Sequence, residues 1–108
     1  MQVNPSELEG KLLEHPNVAD CAVVGRQDHN RATELPTAFV VLSPEARAKD
    51  RDTATAEIVT WLNANVANHK RLRGGVRLVD SVPKTASGKI LRRLLRDQLA
   101  SSARQAKL

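Results

Sequence analysis

The longest uninterrupted apolar run in the chain is Thr37–Leu42, and it most restricts the folds available. It is far shorter than the ~20 residues of a membrane-spanning helix, and Ser43-Pro44 closes it. It therefore reads as a buried strand. Val18–Gly25, rich in Val and Ala, reads as a second strand. A third and shorter one, Val76–Val79, follows a tight turn at Gly74-Gly75. A small sheet of this kind needs helices packed on it.

Three helices are available. Asn4 is suited to cap the first, with Pro5 at the first helical position and Glu7 completing a capping-box pattern. Val3 and Leu8 stand where a hydrophobic staple would sit. Leu8, Leu12 and Leu13 form one apolar stripe, and His15-Pro16 ends the helix. A polar loop is expected from Arg26 to Pro36, and a charged, mobile stretch over residues 45–52. The second helix starts near Asp52–Thr55 and carries Ile58, Trp61, Leu62 and Val66 on one face. The last carries Ile90, Leu91, Leu94, Leu95 and Leu99 on its buried side, with Arg92, Arg93 and Arg96 opposite. The order is α-β-β-α-β-α: an α+β fold in which three helices pack a small sheet. It occupies residues 1–100, and 101–108 read as a flexible tail.

Composition excludes several functions. Hydrophobic residues make up 41% of the chain, enough for one modest core and too few for a membrane protein. No secretory signal pattern opens the sequence. The single cysteine, Cys21, cannot form an internal disulfide, and its apolar surroundings mark it as a core thiol. His15, His29 and His69 lack metal-ligand spacing, so no metal site is expected. The net charge of +5 is unevenly spread: residues 1–66 hold 6 Lys/Arg against 10 Asp/Glu, and residues 67–108 hold 11 against 2. A basic half attracts phosphates on nucleic acid, a membrane surface or a phosphorylated cofactor. With aromatic residues at only 2%, a base-stacking nucleic-acid surface is disfavoured.

The segment richest in chemistry is Pro83-Lys84-Thr85-Ala86-Ser87-Gly88-Lys89-Ile90-Leu91-Arg92-Arg93. It is not a P-loop: Pro83 stands where the first glycine is needed, and Ile90 replaces the Ser or Thr after the lysine. Lys89 is expected at a loop-to-helix junction, where a rigid loop presents its ammonium and the helix N-terminus adds positive potential. Gly88 would let the backbone approach a ligand. From spacing alone Lys89 reads as a solvated surface lysine; a lysine so placed can also hold a carboxylate and a phosphate together while charge moves between them.

This stretch resembles the C-terminal lysine motif of adenylate-forming (AMP-binding) enzymes, in particular their acyl- and aryl-CoA ligases. Other segments follow in the order the family shows. They are Gln2–Glu9, His15-Pro16-Asn17-Val18, Ala22–Gly25, Glu34-Leu35-Pro36, Ala38–Val41, Lys70–Val76 and Val79-Asp80. Ile90-Leu91-Arg92-Arg93 after the lysine is similar to CoA ligases rather than peptide-synthetase domains. Leu72–Asp80 resembles the 4-coumarate–CoA ligase and luciferase group. Thr33-Glu34 stands where the family has Gly-Glu, which departs from its usual tight turn.

The resemblance implies a C-terminal lid domain, expected to be one part of a longer enzyme and to begin just after the family hinge. Such enzymes convert a carboxylic acid and ATP-Mg2+ into an acyl-adenylate, then let the thiol of CoA displace AMP. Lys89 would be the catalytic lysine of adenylation, with Gln2 and Gly88 near the adenylate. On charge grounds Lys70, Arg71, Arg73 and Arg77 are candidates to meet CoA phosphates, the alternative being that they only keep a basic face soluble. The partners implied are the large N-terminal domain, the acid, ATP and CoA. The isolated chain, holding no cofactor, is expected to be inactive. Within the same superfamily, the alternative is the lid of a luciferase-like or peptide-synthetase enzyme. Outside it, the alternative is a basic nucleic-acid-binding module. Ala106-Lys107-Leu108 resembles a peroxisomal address read by an import receptor; without it the protein is expected to be cytoplasmic. The acid itself is not specified by this domain.

Overall fold

The computed structural model describes residues 5–28, 33–66 and 75–106. The elements are α1 (Pro5–Leu12), β1 (Val18–Asp28), β2 (Thr33–Leu42), α2 (Pro44–Arg47), α3 (Arg51–Asn65), β3 (Gly75–Leu78) and α4 (Arg92–Ala106). They form the expected α+β architecture, with the single-turn α2 added. β2 is central, antiparallel to β1 (Val23↔Ala38, Cys21↔Val40) and parallel to β3 (Ala38↔Val76, Val40↔Leu78).

Each face of the sheet is covered, so alternate residues serve different cores. Cys21, Val23, Ala38, Val40 and Leu42 join Leu8 and Leu12 of α1 and Ala54, Ile58 and Leu62 of α3. Ala22, Val24, Phe39 and Val41 meet Val82 and the α4 residues Leu95 and Leu99. This two-sided burial is why the strands read as continuous apolar runs rather than alternating ones. A register slip between Val18 and Asp20 is a bulge that brings Val18 to the α1–α3 side beside Leu42.

Several sequence expectations are corrected. The polar loop over Arg26–Pro36 is largely strand, because ladder pairing continues through Arg26↔Leu35 and Asp28↔Thr33. Pairing uses the backbone, so polar side chains do not end it. The stretch expected to be mobile is organised by two caps. Ser43 Oγ accepts from the Ala46 amide at 3.3 Å and donates to the Pro16 carbonyl at 2.8 Å. Asp50 Oδ2 accepts from the Thr53 amide at 3.1 Å and starts α3. Leu13 leaves the α1 stripe and is 51% exposed. α4 begins after Ile90 and Leu91 and continues through Ala106. Val3 and Asn4, proposed as staple and cap, lie outside the described residues.

The outer edge of β1 is blocked by side chains. The Glu9 carboxylate accepts the Val23 amide at 2.7 Å, and Arg92 donates to the Val23 carbonyl at 3.0 Å. Arg92 and Glu9 also form a two-pronged ion pair through Nη1–Oε2 and Nη2–Oε1. The pair satisfies the edge groups that a further strand would otherwise pair.

Beneath α3, His15 is buried, and its Nδ1 accepts the Asn17 amide at 3.0 Å. Trp61, half-buried rather than core, meets its ring edge-on at 5.3 Å. Burial lowers the His15 pKa below its ordinary 6.5, with nearby Lys49 acting the same way and Glu57 partly opposing. The neutral ring is therefore the folded form. Its contribution to stability is complete above the unfolded value and is lost as pH falls through the lower folded one. Urea midpoints should drop between pH 7.5 and 5.5, and His15→Asn should flatten that drop; an equal slope in the variant would refute the assignment.

Candidate functional site

Residues 83–91 build a β-hairpin. Leu91 donates to the Pro83 carbonyl at 2.9 Å and Thr85 to the Lys89 carbonyl at 2.8 Å, on either side of a Lys84↔Ile90 bridge. The Gly88 amide closes the turn on the Thr85 carbonyl at 2.9 Å. Gly88 has φ of +89°, the left-handed residue that a three-residue hairpin loop uses. A Cβ there would meet open space but a strained backbone, costing about 1 kcal/mol. Gly88 is thus explained by turn geometry.

Side chains lock the loop. Thr85 Oγ1 accepts the Lys89 amide at 3.1 Å and shares a 2.9 Å hydrogen bond with Ser87 Oγ. Ile90 packs against the α4-side core, so alternation turns Lys89 to solvent. Lys84 Nζ is tied to Asp20 Oδ2 at 2.7 Å. Among the described residues the Lys89 ammonium has no ion-pair partner. Lys89 stands on the returning arm of the hairpin, three residues before Arg92, rather than at the start of the helix. Its amide donates to Thr85 Oγ1 and the helix begins only at Arg92, so no helix N-terminus stands directly behind it.

Beside it, Leu91 and Leu94 are 37% and 46% exposed, where the sequence pattern placed them in the core. Arg93 and Arg96 are exposed as expected, but Arg92 is half-buried against Glu9. Arg77 is exposed on β3, registered with Phe39 on the α4 side of the sheet. Gln2, Lys70, Arg71 and Arg73 lie outside the described residues. The Cys21 thiol is buried, and burial, with Glu9 and Asp20 nearby, pushes its pKa up to about 12, consistent with an inert core group. Among the described residues no helix is long and apolar enough to cross a membrane, and no group of three His, Cys, Asp or Glu side chains is placed to hold a metal.

The architecture is a small three-stranded domain that presents, on a braced hairpin, a lysine with no ion-pair partner among the described residues. The family described as the AMP-binding enzyme C-terminal domain matches residues 7–89, and the chain belongs to it. It is 50% identical over 93% of its length to 4-coumarate–CoA ligase-like 1 of Arabidopsis thaliana, and 49% identical over 91% to luciferin 4-monooxygenase of Luciola mingrelica. The crystal structure of the anthranilate CoA ligase AuaEII in complex with anthranoyl-AMP superposes on 94% of the chain, with a TM-score of 0.80 and 36% identity. The chain spans 17% of each of the two relatives and 19% of that solved chain.

Proposed function

We propose that this domain is the mobile lid of an ATP-dependent acyl- or aryl-CoA ligase. A carboxylate attacks the α-phosphorus of ATP, releasing pyrophosphate and forming an acyl-adenylate. The CoA thiol then attacks the acyl carbon, AMP leaves, and the thiol proton passes to solvent or base. The observation that carries this reading is Lys89, an exposed ammonium with no ion-pair partner among the described residues, held outward by a braced hairpin at the end of the family match. Its role is to join the acid carboxylate to the α-phosphate and stabilise the charge passing between them. Exposed Leu91 and Leu94 beside it offer an apolar rim for a large N-terminal domain.

Gln2 is assigned to the adenylate, and Lys70, Arg71, Arg73 and Arg77 to CoA phosphates, on family position and charge. ATP with Mg2+ and CoA bind the complete enzyme. Where Ala106-Lys107-Leu108 ends the polypeptide, it directs import into peroxisomes through the import receptor.

The luciferin 4-monooxygenase relative supports a second reading, in which the acyl-adenylate is oxidised by molecular oxygen, with AMP leaving, rather than passed to CoA. Acid-dependent ATP–pyrophosphate exchange by the polypeptide that joins this domain to its large domain tests the adenylation step. Thioester formation then separates CoA from oxygen as acceptor. The 108-residue chain alone should give no acyl-AMP. Exchange activity that persists in the joined protein after this domain is deleted would overturn the proposal.

A further inference from the structure

Among the described residues, one charged contact anchors the hairpin that carries Lys89 to the sheet, and that contact reaches far back in the chain. Asp20 lies at the start of β1, on the α4 side of the sheet. Its two carboxylate oxygens have separate duties. Oδ1 accepts the Cys21 amide at 2.9 Å, which fixes the carboxylate to its own strand. Oδ2 receives Lys84 Nζ at 2.7 Å. Lys84 is bridged through its backbone to Ile90, the residue after Lys89. The arm is therefore held on one side by Ile90, packed against the core, and on the other by Asp20 through Lys84.

From this geometry we infer that Asp20 is a positioning residue for adenylation, acting through Lys84 to fix the hairpin that presents Lys89. The inference rests on the role proposed for Lys89. An ammonium serves two reactants at once only if its backbone is held, since a shift of about 1 Å in a reacting group can cost up to about a hundredfold in rate. Ile90 fixes the depth of the arm, while the Asp20–Lys84 pair limits its swing along the sheet edge. Partial exposure of both partners, 34% and 37%, keeps the contact modest in stability terms. Its value is orientation.

Asp20→Asn is the discriminating variant. The amide oxygen still accepts from the Cys21 amide, while the charge that holds Lys84 is gone. In the ligase polypeptide that carries this domain, kcat for acid-dependent ATP–pyrophosphate exchange should fall about fivefold, with the KM for ATP little changed. Thioester formation from preformed acyl-adenylate should stay at the unmodified rate. Asp20→Glu should restore most of the exchange activity. Lys84→Met should match Asp20→Asn, and the double variant should be no worse than either single one, as required of a pair acting together.

Three results would overturn the inference. One is wild-type exchange in Asp20→Asn alongside strong loss in Lys89→Met. Another is equal loss in both half-reactions. The third is a Lys84→Met loss that Asp20→Asn does not share, which would give Lys84 a direct role. By contrast, unchanged exchange in Lys89→Met would remove the proposed function itself.

Discussion

On the proposed lid role, Lys89→Ala in the complete polypeptide is expected to lower acid-dependent ATP–pyrophosphate exchange by about 10²–10³-fold, the loss of about 2.7–4 kcal/mol seen when one electrostatic stabiliser of a transition state is removed. Thioester formation from added acyl-adenylate should fall far less, because a lid that rotates between steps takes this lysine away from the second reaction. The structure makes the test clean. Lys89 is exposed, has no ion-pair partner among the described residues, and contributes only backbone hydrogen bonds to the hairpin. Truncating it should leave the unfolding midpoint within about 0.5 kcal/mol of the unmodified protein. Lys89→Arg should not rescue, since a planar guanidinium presents its charge differently from a compact ammonium. Equal losses in the two half-reactions would mean that the lysine serves the whole site rather than adenylation.

The motif around Lys89 was legible because its information is local. Gly88 before the lysine, Ile90 after it and turn formers ahead of it mark a rigid presenting loop from sequence alone. That the loop is a hairpin was not legible. The backbone bonds that make it one, Thr85 to Lys89 and Leu91 to Pro83, leave no periodic signature. The strands were found by their apolar runs and then cut short, because β1 and β2 continue on backbone pairing where the side chains turn polar. Leu91 and Leu94 fit a helical stripe, yet α4 buries only Leu95 and Leu99 among its described leucines. A stripe records what could be buried; what is buried depends on how much of the helix the sheet covers. The tertiary ion pairs were missed for a simpler reason. Asp20 and Lys84 are 64 residues apart, Glu9 and Arg92 are 83 apart, and no spacing rule connects charges over such distances.

Arg92, which the sequence pattern puts opposite the buried side of the last helix, instead locks a sheet edge. Placing a cation in the first turn of α4 opposes the helix dipole, so something must hold it there. Glu9 does, through both carboxylate oxygens, and that bond raises the Arg92 pKa above its already high value. Arg92→Ala should cost about 2–4 kcal/mol, because it strands the largely buried Glu9 carboxylate and leaves the Val23 carbonyl without its donor. For a domain of this size that corresponds to a fall in Tm of about 10 °C or more. Arg92→Lys should recover part of the loss, keeping the charge but not the two-pronged geometry. The double variant Glu9→Leu/Arg92→Leu separates the two costs. Removing both charges relieves the stranded carboxylate, but the Val23 amide and carbonyl then lose both partners at the edge of β1. It should therefore remain less stable than the unmodified chain by about 1–2 kcal/mol and gain a tendency to associate through the uncovered strand. A Tm in Arg92→Ala equal to that of the unmodified protein would instead make the pair an ordinary surface contact, and the edge of β1 would need another guard.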